Sequence, residues 1–334
     1  MNPEVSVILP FYNSEKTLAT AIESIIGQTF THFELLLINN NSTDKSFSIA
    51  ATFSKTDKRI RLLNEPKQGV AHAMNFGLQN ARGKFLARMD ADDISYPQRL
   101  EKQVQFLHDN PKIGLVGCEV NYVAHEENTA GFNRFVNWVN SFHSSAEIKL
   151  NRFVEIPLVN PTILFRREIY EEFGGCLHGD FPEDYEMLLR YLEAGVKMAK
   201  LPEPLLEWHD YSTRLTRTDE RYSTEAFFRV KAKYFWNWSE KNNPFHPEIW
   251  VWGAGRKTRQ RAKLLEKQGL KINGYFDIVK GKTTEKKSLH FTEVPEPGKI
   301  FIVPMVNKRG VSKQIKDYLL KIDYQEGRDF LMMG

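Results

Sequence analysis

Cysteine is nearly absent from this 334-residue chain, which carries two, Cys118 and Cys176. They lie far apart, without metal-type spacing, so a disulfide framework is excluded and a reducing compartment is indicated. Long apolar runs are missing too. None approaches the roughly 20 residues needed to span a bilayer. The opening Met1-Asn2-Pro3-Glu4 leads straight into a strand, without the basic and apolar regions of a secretion signal. The expectation is a soluble, cytoplasmic protein, at most peripheral to the inner face of a membrane. One-sided charge is lacking as well, since 46 basic and 42 acidic residues leave a net +4. That small difference does not argue for nucleic acid as a partner, although a basic face toward phosphate-bearing substrates is compatible with it. No Gly-rich phosphate loop follows the first strand, which disfavours a nucleotidyltransferase.

What is present is an ordinary globular composition, with 41% hydrophobic and 12% aromatic residues. The length suggests two domains. Val5–Leu9, Phe33–Asn39, Arg59–Leu63 and Lys84–Met89 read as strands. Glu15–Gly27, Thr43–Ser54 and Val70–Ala81 between them carry helical apolar spacing. This alternation predicts an α/β fold with a mostly parallel central sheet. Ligands meet such sheets at the carboxyl ends of the strands. Three polar clusters fall there: Asn13-Ser14-Glu15, Asn39-Asn40-Asn41 and Asp90-Ala91-Asp92-Asp93. Residues 121–160 give a mixed signal, read as irregular strands and a short helix. The expected organisation is a first domain over residues 1–220, a helical linker over 221–243 and a small α/β domain over 244–334.

Asp90, Asp92 and Asp93 put three carboxylates in four residues. They repel one another unless a cation or a donor network compensates. Mn²⁺ and Mg²⁺ are held by one or two carboxylates together with substrate phosphate oxygens, and a departing nucleoside diphosphate needs such Lewis-acid help. A solvated turn capping the helix Tyr96–Asn110 accounts for the same residues. Farther on, Asp180 and Glu183 have capping-box spacing around Pro182. Asp184 is left over, a first-turn carboxylate available as the base that takes a proton from an attacking hydroxyl. We therefore read Asp184 as the base and Glu183 as helix support.

Several segments, taken in order, resemble the family 2 glycosyltransferases of GT-A fold. Val5–Asn13 is similar to their opening strand, and Glu34–Asp44 to their second strand and Asp-Asp-Gly-Ser-Thr-Asp loop. Gly69–Gly77 resembles their third helix. Arg88–Asp93 with Pro97, Arg99 and Leu100 looks like their Asp-x-Asp segment. Asn160-Pro161-Thr162 and Glu183-Asp184 match two later landmarks, and the resemblance covers roughly residues 4–220. It implies an inverting transfer of a sugar from a nucleotide-diphosphate sugar, a UDP-sugar above all, to a hydroxyl of a glycan or lipid-linked saccharide. Pro10, Tyr12, Asn13, Asn39 and Asn40 would form the nucleotide pocket. Asp90 would lie near the ribose and diphosphate and, with Asp92, hold Mn²⁺ or Mg²⁺. Asp184 would be the general base. The chain departs from the family at Asn39 and Asn40, where aspartates are usual, at Met74, where arginine is frequent, and at Asn160, where histidine is common.

Two further stretches are open at this level. Glu207–Arg217 reads as a loop in which His209, Arg214 or Arg217 closes over a diphosphate, or as an exposed basic loop before a helix. In the last domain a strand runs into Gly253-Ala254-Gly255 and a basic helix, Arg256–Gln268, with Asp277 where an acidic residue meets a ribose in dinucleotide folds. An unliganded Rossmann-like module fits equally well. The alternatives to a transferase are a bifunctional protein with a dinucleotide-binding C-terminal domain and a non-catalytic sugar-nucleotide-binding protein. Trp250 and Trp252, on one side of that strand, read as packing against the first domain in preference to forming a base platform.

Overall fold

The computed structural model describes residues 2–125, 129–281, 284–306, 308 and 310–334. The chain forms two compact units. The first joins Met1–Ile148 to Pro157–Asp219, and the second joins Lys149–Ile156 to Glu220–Gly334. The helix Thr224–Asn242, within the stretch read as a linker, is therefore part of the second unit.

The strands of the first unit are β1 (Val5–Phe11), β2 (Phe33–Asn39), β3 (Ile60–Asn64), β4 (Phe85–Arg88), β5 (Ile94–Ser95), β6 (Leu115–Ala124), β7 (Leu164–Arg166) and β8 (Met198–Asp210). They form one eight-stranded sheet in the order β3-β2-β1-β4-β7-β6-β8-β5. Strands β1 and β2 are largely apolar and almost wholly buried, as a parallel sheet covered by helices requires. The helix Val70–Asn80 packs closely against them at Gly77. A Cβ there would come within 2.4 Å of the Ile8 side chain. At the adjoining bend the buried Ser6 hydroxyl donates to Glu34 over 2.7 Å, and Glu34 in turn accepts the Arg82 N–H and pairs with Arg61.

The sheet is mixed: four of its strand pairings are parallel, as expected, and three are antiparallel. Strand β7 runs antiparallel to both β4 and β6, and β5 is antiparallel to β8. Strand β7 is entered from the 3₁₀ turn Asn160–Thr162. Strand β8 escapes a propensity reading because it contains Pro202 and Pro204. The register against β6 shifts beside Pro204, and Pro202, Glu203 and Pro204 are exposed there. That is where a strand tolerates proline. Glu207–Asp210 are consequently the end of a strand and not the start of a loop.

In the second unit, β9 (Glu248–Trp252), β10 (Lys271–Asp277), β11 (Lys287–His290) and β12 (Ile302–Pro304) form a four-stranded parallel sheet in the order β11-β10-β9-β12. Ser223 caps the long helix by accepting the Ala226 N–H over 3.2 Å. Trp252 is buried with Phe276, Ile315, Leu319 and Phe330, and Trp250 stacks on Phe276 with ring centres 5.0 Å apart. Both tryptophans belong to this unit's own packing.

Candidate active site

The register of β1, β2 and β3 brings Phe11, Asn39 and Asn64 level at one edge. Strand β4 ends beside them with Arg88. Arg88 is buried, and its Nε–H donates to Asp90 Oδ1 over 2.8 Å. Burial works against its charge, but Asp90, Cys176 and Glu183 around it outweigh that penalty and hold the guanidinium protonated above its ordinary range.

Beyond Arg88 the chain turns so that one carboxylate oxygen from each of Asp90, Asp92 and Asp93 lies within 4.8 Å of the others. Burial pushes the Asp92 carboxyl up, against the pull of Arg214 and with added repulsion from Asp90. Asp93 is pushed up further, by burial and by Asp92. Its Oδ1 accepts the His209 backbone N–H over 2.9 Å, while its buried Oδ2 has no partner among the described residues. Crowded hard oxygen donors with one orphaned oxygen fit a divalent cation such as Mn²⁺ or Mg²⁺.

Asp184 stands in the first turn of the helix Glu183–Glu193. That helix begins one residue after Pro182, which occupies the N-cap. Glu183 is therefore the first helical residue, not the third, and Asp180 does not occupy the N-cap. Instead Glu183 is buried, and its charge bears on Arg88, Cys176 and Asp184. The Asp184 carboxyl is pushed up to about 7, by burial first and by Glu183 second, against the pull of Arg88. Its Oδ1 accepts the Tyr185 N–H over 2.7 Å. Arg88 is thus the common counter-charge of Asp90 and the Glu183–Asp184 pair. Sequence reading missed this role, although the arginine just before the acidic run was the available signal.

Along the same edge, Tyr12 is 52% exposed just past Pro10 and the end of β1. Asn13 takes a left-handed φ of 47° and accepts the Thr43 N–H over 2.8 Å. Asn39 donates to Asn64 over 2.9 Å and accepts the Ser42 N–H over 3.1 Å. Asn40 is fully engaged by backbone: it donates to the carbonyls of Glu65 and Lys67 over 3.0 and 2.8 Å and accepts the Gly69 N–H over 2.8 Å. An aspartate there has no proton to donate to two carbonyls. The amide at Asn40 therefore has a structural cause, and this side chain shapes the wall of the edge instead of presenting itself to a ligand. Met74 is buried. Asn160 is buried too, and its side-chain oxygen has no partner among the described residues. It lies three residues before Ile163, whose carbonyl accepts the Arg88 N–H over 3.0 Å.

Of the three residues weighed for a closing loop, Arg217 is engaged by Asp210 through bonds of 2.9 and 2.5 Å. His209 is buried at the end of β8, 2.9 Å from His125. Arg214 is the cation that bears on both Asp92 and Asp93; it lies 4.3 Å above the Trp208 ring and donates to the His209 carbonyl over 2.7 Å. In the second unit, Asp277 does not stand ready for a ribose. Its two oxygens accept the N–H groups of Ala254 and Val279 over 2.8 and 3.0 Å, which closes the turn after β9 on itself.

The family described as Glycosyl transferase family 2 matches residues 6–174. An uncharacterized glycosyltransferase of Haemophilus influenzae is 31% identical over 237 residues, covering 69% of this chain and 73% of that protein. Among solved structures, Staphylococcus aureus TarS residues 1–349 in complex with UDP-GlcNAc superposes with a TM-score of 0.57 at 15% identity, covering 79% of this chain and 71% of that one. The mannosyltransferase PcManGT of Pyrobaculum calidifontis, in complex with GDP-Man and Mn²⁺, gives a TM-score of 0.50 at 20% identity over 72% of this chain and 64% of its own. The large mixed sheet of the first unit is of the kind typical of GT-A glycosyltransferases.

Proposed function

The chain belongs to glycosyl transferase family 2, and we propose that it transfers a sugar from a UDP-sugar to a hydroxyl of a glycan or lipid-linked saccharide, with inversion at the anomeric carbon. The observation that carries this reading is the carboxylate cluster Asp90, Asp92 and Asp93 at the end of β4. Buried Arg88 bonds Asp90 there, and its charge also bears on an Asp184 carboxyl pushed up to about 7.

In the proposed step the acceptor oxygen attacks the anomeric carbon as the bond to the diphosphate breaks. The hydroxyl proton passes to Asp184, and the diphosphate leaves with the bonding electrons. A general base works best with a pKa near the working pH, which burial and Glu183 supply at Asp184. Asp92 and Asp90, with Asp93 beside them, would hold Mn²⁺ or Mg²⁺, which when bound supplies Lewis-acid stabilisation of the departing diphosphate. Arg214 adds positive charge on the same side. Exposed Tyr12 would stack on the base beside Pro10, and Asn13 and Asn39 would line the nucleotide pocket whose wall Asn40 fixes. The unpartnered oxygen of Asn160 supports a hydroxyl-bearing ligand here.

The TarS complex with UDP-GlcNAc supports the choice of a UDP-sugar, and the mannosyltransferase complex supports the metal. We read the second unit as Rossmann-like in its parallel sheet but without dinucleotide chemistry, because Asp277 holds the turn a pyrophosphate would use. The test is a screen of nucleotide sugars against the purified full chain with and without Mn²⁺. Release of nucleoside diphosphate from at least one donor, abolished in Asp184→Asn when acceptor is present, supports the reading. Inertness toward every donor refutes it.

A further inference from the structure

The second unit carries a surface that its own fold does not use. The helix Arg256–Lys267 turns Thr258, Ala262 and Leu265 inward. Arg256, Gln260, Lys263 and Lys267, spaced four, three and four residues apart, form an exposed row. Six of its twelve residues are cations and one, Glu266, is acidic. Arg256 and Lys257 open it, yet a first helical turn favours acidic side chains, so helix stability does not explain them. The acidic residues nearby are already paired, Glu266 with Lys286 and Glu285 with Lys263.

Strands β9 and β10 are parallel and level at Trp252 and Phe276, so the turns that follow them leave from one edge. The 2.8 Å bond from the Ala254 N–H to Asp277 ties those turns together. Directly after Asp277 come Ile278, 73% exposed, and Val279, 52% exposed, followed by exposed Lys280. Among the exposed large hydrophobic side chains of the described residues, these two alone are consecutive in sequence. The exposed apolar pair Ile278-Val279 is followed by Lys280 and leaves the same strand edge as the turn that leads into exposed Arg256 and Lys257. Two side chains are far smaller than the roughly 1,000 Å² a stable protein interface needs. Cations beside a short apolar tip instead match the headgroup boundary of an acidic bilayer.

We propose that this edge docks the protein on an anionic lipid bilayer, with Ile278 and Val279 entering the headgroup region and Arg256, Lys257 and Lys280 binding lipid phosphates. The docking is interfacial, since no helix among the described residues is long and apolar enough to cross a membrane. It rests on no step of the transfer reaction.

The test is sedimentation of the full chain with vesicles of phosphatidylcholine alone and of phosphatidylcholine mixed with phosphatidylglycerol. Wild type should pellet with the mixed vesicles, remain in solution with the neutral ones, and be released by high salt. Replacing Arg256, Lys257 and Lys280 by Gln should weaken partitioning by on the order of a hundredfold. Ile278→Ser with Val279→Ser should weaken it by at least about tenfold. Both variants should keep the wild-type melting temperature, because the altered side chains face solvent. Failure to bind mixed vesicles, equal binding to neutral ones, or variants that bind like wild type would overturn the proposal. A concentration-dependent dimer abolished by Ile278→Ser, with no vesicle binding, would overturn it in favour of a second copy.

Discussion

Arg88 donates its Nε–H to Asp90 over 2.8 Å while its charge also opposes the raised pKa of Asp184. One buried guanidinium therefore faces both the acidic run after β4 and the first turn of the helix Glu183–Glu193. Arg88→Met should leave Asp90, Glu183 and Asp184 without their counter-charge. Stability should fall by about 3 kcal/mol, as when one partner of a buried pair is removed. The acid limb of the rate profile should move to higher pH. Denaturant unfolding and a pH–rate series check both.

The pH dependence has a definite sign. The Asp184 carboxyl is pushed up to about 7, above an unfolded value near 3.9. Between those values the folded protein binds more protons at this group than the unfolded chain. Its contribution to stability is therefore lost as pH rises through that window. Turnover runs the other way, because the base acts ionised and the rate should climb through about pH 7. Asp184→Asn should lower turnover by orders of magnitude with little change in donor affinity. It should also melt higher than wild type above neutral pH, where the buried charge is removed. A variant that keeps wild-type turnover would contradict the assignment.

Glu183 separates repulsion from capping. Because Pro182 holds the N-cap, Glu183→Gln should move the acid limb of the rate profile to lower pH by removing the charge that raises Asp184. If Glu183 acted as a cap, its loss would cost about 1 kcal/mol and leave the profile in place.

Arg214 and Arg217 should behave oppositely. Arg217→Ala removes the partner of buried Asp210 and should destabilise the fold by about 2 kcal/mol. Arg214→Ala should leave the melting temperature nearly unchanged and reduce turnover, since its charge faces Asp92 and Asp93. Paired thermal melts and steady-state kinetics distinguish them.

The parallel strands were legible because β1, β2 and β4 are short apolar runs between helix-period segments, and that signal survives without tertiary context. The clustering of Asp90 and Asp92 was legible because they lie two residues apart, and Asp184 was legible as a first-turn carboxylate. Strand β8 was not, since Pro202 and Pro204 mimic a loop and only the register shift against β6 accommodates them. The counter-charge role of Arg88 was hidden because Glu183 lies 95 positions along the chain from it and meets it only through folding. Asn40 shows a different gap: its engagement by the carbonyls of Glu65 and Lys67 depends on how two loops meet.

The metal claim at Asp90–Asp93 meets its most direct test in nucleoside diphosphate release from a competent nucleotide sugar, followed as Mn²⁺ is withdrawn with EDTA and then restored. Loss of release in EDTA, recovery with Mn²⁺ or Mg²⁺, and no recovery in a folded Asp92→Asn protein are the predicted results. Undiminished release in excess EDTA, or full activity in Asp92→Asn, would contradict the account.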